Sequence, residues 1–310
     1  MGGRTQGCIS INQHLNIAAY NFSSALTMKS LISSLVKVMP YADTLPVQRK
    51  FGQTTRPDAW WIQPLLVFLG FSAFIVYSTW AGVQGKNYFL TANGQDYLSP
   101  FYSPELWGRA GYAWFGASQP SWWPAFLGHF SPAFLIMWIP AGFRFTCYYY
   151  RGAYYKAFWL DPVNCAVGEP RKSYLGERFF PLIIQNVHRY FLYLALIFIV
   201  LLSHDAWKGL WFTDAAGQSH FGLAVGSLVL ILNAILLGSY TLGCHSLRHL
   251  TGGFLDAPSK APTCAKAYSC VGCLNKRHMM WAWFSLFWVG FTDLYIRLCA
   301  TGVWHDYRFF

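Results

Sequence analysis

Apolar residues run in five long blocks, at about 60–83, 122–143, 182–202, 221–242 and 279–303, separated by polar, basic or aromatic stretches. Each block is close to the roughly 20 residues a helix needs to cross the hydrocarbon core. The pattern predicts an all-α integral membrane protein, with a bundle of five transmembrane helices in residues 59–310. Pro132 and Pro140 interrupt the second block, and Pro181 stands at the mouth of the third. Residues 1–58 read as a cytoplasmic or interfacial extension. Within it, Leu26, Leu31, Leu35 and Val38 recur among Ser and Lys between Ser24 and Met39, an amphipathic helix closed by Pro40. Between the first two blocks, the Trp, Tyr, Pro and Gly of Gln84–Ser121 predict a packed cap at the interface.

Composition agrees with the blocks. The 310 residues are 55% hydrophobic and only 11% charged, far below the roughly 25% charge of soluble domains. The first residues lack the apolar core of a cleavable signal peptide. Position then matters more than the net charge of +11. Arg4, Lys29, Lys37, Arg49, Lys50 and Arg56 precede the first block. Arg144, Arg151, Lys156, Arg171, Lys172 and Arg178 lie between the second and third, and Arg248, Lys260, Lys266, Lys276 and Arg277 between the fourth and fifth. The remaining loops hold Lys86, Arg109 and Lys208. Five crossings with a cytoplasmic N-terminus put all three basic segments inside, as the positive-inside rule requires.

Cysteine and histidine gather at that inner edge. His245 and His249, four residues apart, project from one face of a helix continuing from the fourth block, with Cys244 beside them. Cys147 follows the second block, Cys165 lies in the next loop, His188 is near the inner end of the third block, and His278 opens the fifth. Inner thiols are free or metal-bound in a reducing compartment, while Cys8 and Cys299 read as small hydrophobes. Two Cys and two His can hold a structural zinc or a Rieske-type [2Fe–2S] centre. Two thiolates cancel the charge of an oxidised [2Fe–2S] core and neutral imidazoles add none, so this centre is cheaper at membrane depth than a four-thiolate one. Haem b between imidazoles such as His188 and His278 uses the same residues. So does a zinc knuckle made from Cys264, Cys270, Cys273 and His278. No HxxHH box supports a di-iron desaturase, and no dinucleotide-binding glycine pattern follows a strand, so flavin chemistry would belong to a partner.

Several blocks are specific in combination: FRFTCYYYRGAYYKAFW at 143–159, Asn164-Cys165-Ala166-Val167, QNVHRY at 185–190, Cys244-His245-Ser246 with His249, LNKRHM at 274–279 and Thr292-Asp293-Leu294-Tyr295. Together they resemble the five-helix membrane subunit of the actinobacterial-type succinate dehydrogenase, over about residues 120–300. The resemblance implies a respiratory complex II. There a flavoprotein subunit oxidises succinate and an iron–sulfur subunit relays single electrons. This chain, with no succinate site of its own, would anchor both in the cytoplasmic membrane and pass electrons through an embedded Rieske-type [2Fe–2S] centre to quinone. Its expected partners are those two subunits, quinone and lipid, without nucleic acid, in a complex that is free to oligomerise.

The blocks hold more donors than one centre needs. The first-ranked expectation places Cys147 and Cys165 on one iron and two of His188, His245, His249 and His278 on the other, with Cys244 in reserve. Tyr148, Tyr149, Arg151, Trp159, Arg189 and Tyr190 surround that position. They offer donors to a quinone beside an apolar slot, or else form an aromatic belt with snorkelling arginines. Asp293 and Arg297, four residues apart, are expected to pair structurally or to relay protons.

Overall fold

A computed structural model describes residues 50–310 apart from 93, 110, 119–120, 123–130, 162, 171–178, 181, 215 and 254–256. The amphipathic segment Ser24–Met39 and Cys8 lie outside the described residues. Helix α1 (Ile62–Gln84) is apolar on its outer side, where Leu66 and Val76 are 62% and 70% exposed, a surface suited to lipid. Its buried residues are small: Ser78, Ala81 and Gly82. A Cβ at Gly82 would lie 3.2 Å from the Phe134 ring, so the missing side chain lets the next helix approach closely.

The chain continues through α2 (Ala133–Phe145), α3 (Tyr148–Tyr154, extended by a π turn at Tyr155–Trp159) and α4 (His188–Lys208), which follows a 3-10 turn at Leu182–Val187. Then come α5 (Val225–Leu242), α6 (His245–Gly252), α7 (Pro262–Asn275) and α8 (His278–Ala300). Helix α8 buries Ala282, Ser285, Leu286, Val289, Thr292, Asp293 and Ile296 at helical spacing. It packs on α5, with α4 against α5 and α2 against α4.

The all-α expectation needs an addition. At the end of the bundle opposite His278, β1 (Phe89–Ala92), β2 (Gln95–Leu98), β3 (Trp211–Thr213) and β4 (Ser219–Phe221) form an antiparallel sheet in the order β1-β2-β3-β4. The hairpin pairs Phe89 with Leu98 and Ala92 with Gln95, and Gln95 meets Phe212 across β2 and β3. The fully buried Gln95 fixes this cap by donating to the carbonyls of Gly209 (3.2 Å) and Gly222 (3.1 Å). Strands of three or four residues are too short to show alternation in the sequence.

The spans also differ from the blocks. By length and composition, Ile62–Gln84, Leu182–Lys208 and Val225–Leu242 are helices able to cross a membrane. Among the described residues α2 has 13 residues. Helix α8 has 23, but it carries Asp293, Arg297 and many aromatics. Asp293 accepts hydrogen bonds from Arg297 Nε (2.7 Å), the Tyr77 hydroxyl (2.6 Å) and the Ser99 hydroxyl. Arg297 also donates to the carbonyls of Lys86 (2.8 Å) and Ala81 (2.9 Å). These bonds tie α1 and the cap to α8.

Candidate metal centre

Two corners of the backbone build the site. Helix α2 ends at Phe145, and Cys147, extended at φ −67 and ψ 131, caps α3. Helix α5 ends at Leu242, and Cys244, extended at φ −64 and ψ 139, caps α6. Each corner turns a cysteine into the bundle, where both thiols are almost wholly buried. His188 and His278 are the first residues of α4 and α8, and both are buried. Cysteines leaving two helices thus meet histidines entering two others.

The donors stand in crossed pairs. His188 Nε2 lies 3.1 Å from Cys244 Sγ, and His278 Nε2 lies 3.7 Å from Cys147 Sγ. The Thr146 hydroxyl spends its one proton on the Gly142 carbonyl at 2.7 Å. Its 2.8 Å contact with His188 Nδ1 therefore receives the imidazole N–H, which leaves Nε2 with a lone pair toward Cys244. The other corner has Gly243 where this one has Thr146. A Cβ there would lie 3.2 Å from His278 Nδ1, and that nitrogen is buried without a partner. Phe143 stacks on His188 with centroids 4.7 Å apart and planes at 8°, and Tyr240 stacks on His278 at 4.9 Å and 23°. Each aromatic stands four residues before its own corner's cysteine.

The other expected donors are elsewhere. Cys165 is exposed and its thiol is in a disulfide, so the structure does not bring it to the buried donors as the first-ranked expectation had it, and it departs from the expectation that the inner thiols are free or metal-bound. Its loop is pinned to the chain before α1: Arg56 donates to the Cys165 carbonyl and Asn164 Nδ2 to the Trp60 carbonyl, both at 3.0 Å. His245 and His249 do share one face, with their Nε2 atoms 3.0 Å apart. Both are exposed, because the corner at Cys244 breaks the helix and turns α6 away from the buried donors. Cys264, Cys270 and Cys273 are exposed on α7 and His278 is buried, and the structure does not gather three of these four at one point.

A family model described as actinobacterial succinate dehydrogenase subunit SdhC matches residues 62–302. The chain belongs to this SdhC family. It is also similar to a solved structure described as the Mycobacterium smegmatis Sdh1 complex in the apo form, at 41% identity and a TM-score of 0.74, covering 86% of this chain and 97% of that one. A search of curated proteins finds no match. As an SdhC-type membrane subunit, the chain serves within a succinate dehydrogenase complex and does not itself carry the succinate-oxidising site.

Two spaces lie beside neighbours of the SdhC donor group, the larger of them mostly apolar. One, of about 770 Å³, is walled by Phe71, Met137, Arg144, Tyr150, Tyr154 and Trp159 among others. A smaller one, of about 250 Å³, includes Tyr149, Tyr150, Met279 and Trp283, and the Tyr149 ring lies 4.9 Å from His278. Trp159 and Tyr149 thus face cavities. Arg151 lies over the Tyr148 ring at 4.4 Å, and Arg189 over Tyr190 at 5.6 Å; Tyr148, Arg189 and Tyr190 are exposed, as in an interfacial belt. Arg144 had a loop charge's role in the topology argument, yet it belongs to α2 and turns inward. Its nearness to Cys147 was the one signal in the sequence that could have marked it.

Proposed function

We propose that this chain is the electron-transferring anchor of a succinate:quinone oxidoreductase, and that Cys147, Cys244, His188 and His278 hold a Rieske-type [2Fe–2S] centre. The carrying observation is the buried quartet of two thiols and two imidazoles. The residues fit such a centre chemically: two buried thiols and two buried imidazoles are the donor set that a Rieske-type centre uses. The orphaned Nδ1 of His278 gives it a further buried nitrogen. Haem b between the same imidazoles fits less well, because a buried thiol stands at the Nε2 of each ring. When bound, the centre would supply a one-electron carrier whose potential is raised by imidazole ligation.

The remaining work belongs to the chain itself. Thr146 fixes the ring of His188, as outer partners of metal ligands do. Phe143 and Tyr240 keep water from the imidazole faces. We assign quinone to the larger cavity, where a ring enters an apolar slot and its carbonyl needs a donor. Arg144 meets that need. Of the five N–H groups in a guanidinium, three are used on Tyr150, Ala282 and Ser285, which leaves two. We further infer five crossings, with α2 and α8 completing the set, and a cytoplasmic donor end beside the flavoprotein and iron–sulfur subunits, in the inner membrane among lipid.

Electron paramagnetic resonance of the dithionite-reduced complex, with iron and sulfide analysis, tests the assignment. The rhombic signal of an imidazole-ligated [2Fe–2S] centre is expected. It should vanish in Cys147→Ser, Cys244→Ser, His188→Ala and His278→Ala, and survive in Cys165→Ser, His245→Ala and His249→Ala. A Soret band in place of that signal would move the electrons to haem, and zinc without iron would leave a structural site.

A further inference from the structure

We propose that Arg144 is the counter-charge of the metal centre, a positioning residue whose guanidinium favours the arrival of an electron there. This rests on the reading of the quartet given above, and goes beyond Arg144's contact with quinone. Arg144 stands in the last turn of α2. Its Nη1 donates to the Tyr150 hydroxyl (2.7 Å) and the Ala282 carbonyl (3.0 Å), and its Nη2 to the Ser285 hydroxyl (2.8 Å). All three partners are neutral, and two of them lie on α8 within two turns of His278.

The missing element is a carboxylate. Among the described residues no Asp or Glu comes within ion-pair distance of Arg144, whereas Arg297, at the other end of the bundle, has Asp293 at 2.7 Å. A guanidinium cannot shed its proton to escape the cost, and an uncompensated cation among membrane helices is expensive. Snorkelling would relieve the cost, yet this side chain is turned into the bundle and bonded there.

The place of the charge suggests its use. Arg144 Cζ lies 4.7 Å from the centroid of the Tyr240 ring, and the same ring stacks on His278 at 4.9 Å. A single aromatic side chain therefore touches both the cation and the ligand set. The cation is not a general feature of such corners. Three residues before Cys147 stands Arg144, while three before Cys244 stands the neutral Thr241. With two thiolates and two neutral imidazoles, an oxidised [2Fe–2S] core is electrically neutral and its reduced form carries one negative charge. Arg144 is thus uncompensated before the electron arrives and compensated after it, so its field favours reduction.

The test is a redox titration of the assembled, quinone-depleted complex, followed by the spin-resonance signal that His278→Ala removes. Arg144→Gln is expected to make reduction about tenfold less favourable, a potential lower by about 59 mV for one electron. Arg144→Lys, which keeps the charge, should stay within about twofold of the wild type. Ala141→Glu puts a carboxylate one turn earlier on the same cavity wall and should lower the potential as Arg144→Gln does. That variant decides the matter if Arg144→Gln does not retain iron. An unchanged potential in Arg144→Gln or Ala141→Glu, or an equal fall in Arg144→Lys, overturns the proposal while leaving the quartet intact. A wild-type complex without the signal would instead remove the quartet reading, and the counter-charge with it.

Discussion

His188 Nε2 lies 3.1 Å from Cys244 Sγ across 56 residues of chain, although one residue opens α4 and the other caps α6. The contact puts the Cys244 thiol against a buried imidazole, while Cys165 is exposed in its loop. Cys244→Ser is therefore expected to abolish iron retention in the assembled complex, and Cys165→Ser to preserve it, as read by iron per complex after gel filtration. The opposite pattern would return the ligand to the loop at Cys165.

Thr146 gives a subtler variant. Its hydroxyl receives His188 Nδ1–H at 2.8 Å, and Val keeps the shape while removing the acceptor. Loss of such an outer hydrogen bond typically weakens metal affinity about 10–100-fold. Thr146→Val should thus fold normally but lose iron faster to a chelator. Unchanged iron release would mean that the Phe143 ring alone holds the imidazole.

Helix positions near the Cys and His residues were legible because a 20-residue apolar run has few other meanings in a chain so poor in charge. The depth shared by Cys147, His188, Cys244 and His278 followed from their places at block ends. The selection among donors did not follow, because it depends on the backbone turning between α5 and α6. A continuous helix would have kept His245 in register with the core, and the extended Cys244 removes that continuity. Arg144 was hidden for a related reason: a cation at a block end reads as a loop charge until its hydrogen bonds to Ala282 and Ser285 are seen. The sheet was invisible because its two hairpins join through one pairing, Gln95 with Phe212.

The exposed His245–His249 pair has its own pH behaviour. Burial first, and then the neighbouring His249 and Arg248, hold His245 below the ordinary imidazole value. Between that lowered value and about 6.5, an opened α6 binds more protons than the folded one. Folding of α6 is then favoured fully above this window and weakens as pH falls through it. Histidine NMR should find His245 titrating low, and His249→Ala should raise it only part of the way, since burial remains. A value unmoved by His249→Ala would mean that the rings are not neighbours in solution.

Asp293 and Arg297 separate a structural role from a proton-handling one. Asp293 is fully buried, and its carboxylate takes hydrogen bonds from Arg297, Tyr77 and Ser99. Arg297 also donates to the Lys86 and Ala81 carbonyls. Removing one partner strands the other charge, a loss of about 3–5 kcal/mol in buried pairs, whereas replacing both by apolar groups is often nearly neutral. Asp293→Asn and Arg297→Met should each lower the thermal unfolding midpoint of the purified complex, and Asp293→Leu combined with Arg297→Met should recover much of it. Quinone reduction per intact complex should change little in the double variant. If turnover instead collapses while the unfolding midpoint holds, the pair carries protons and its place near the sheet end becomes functional.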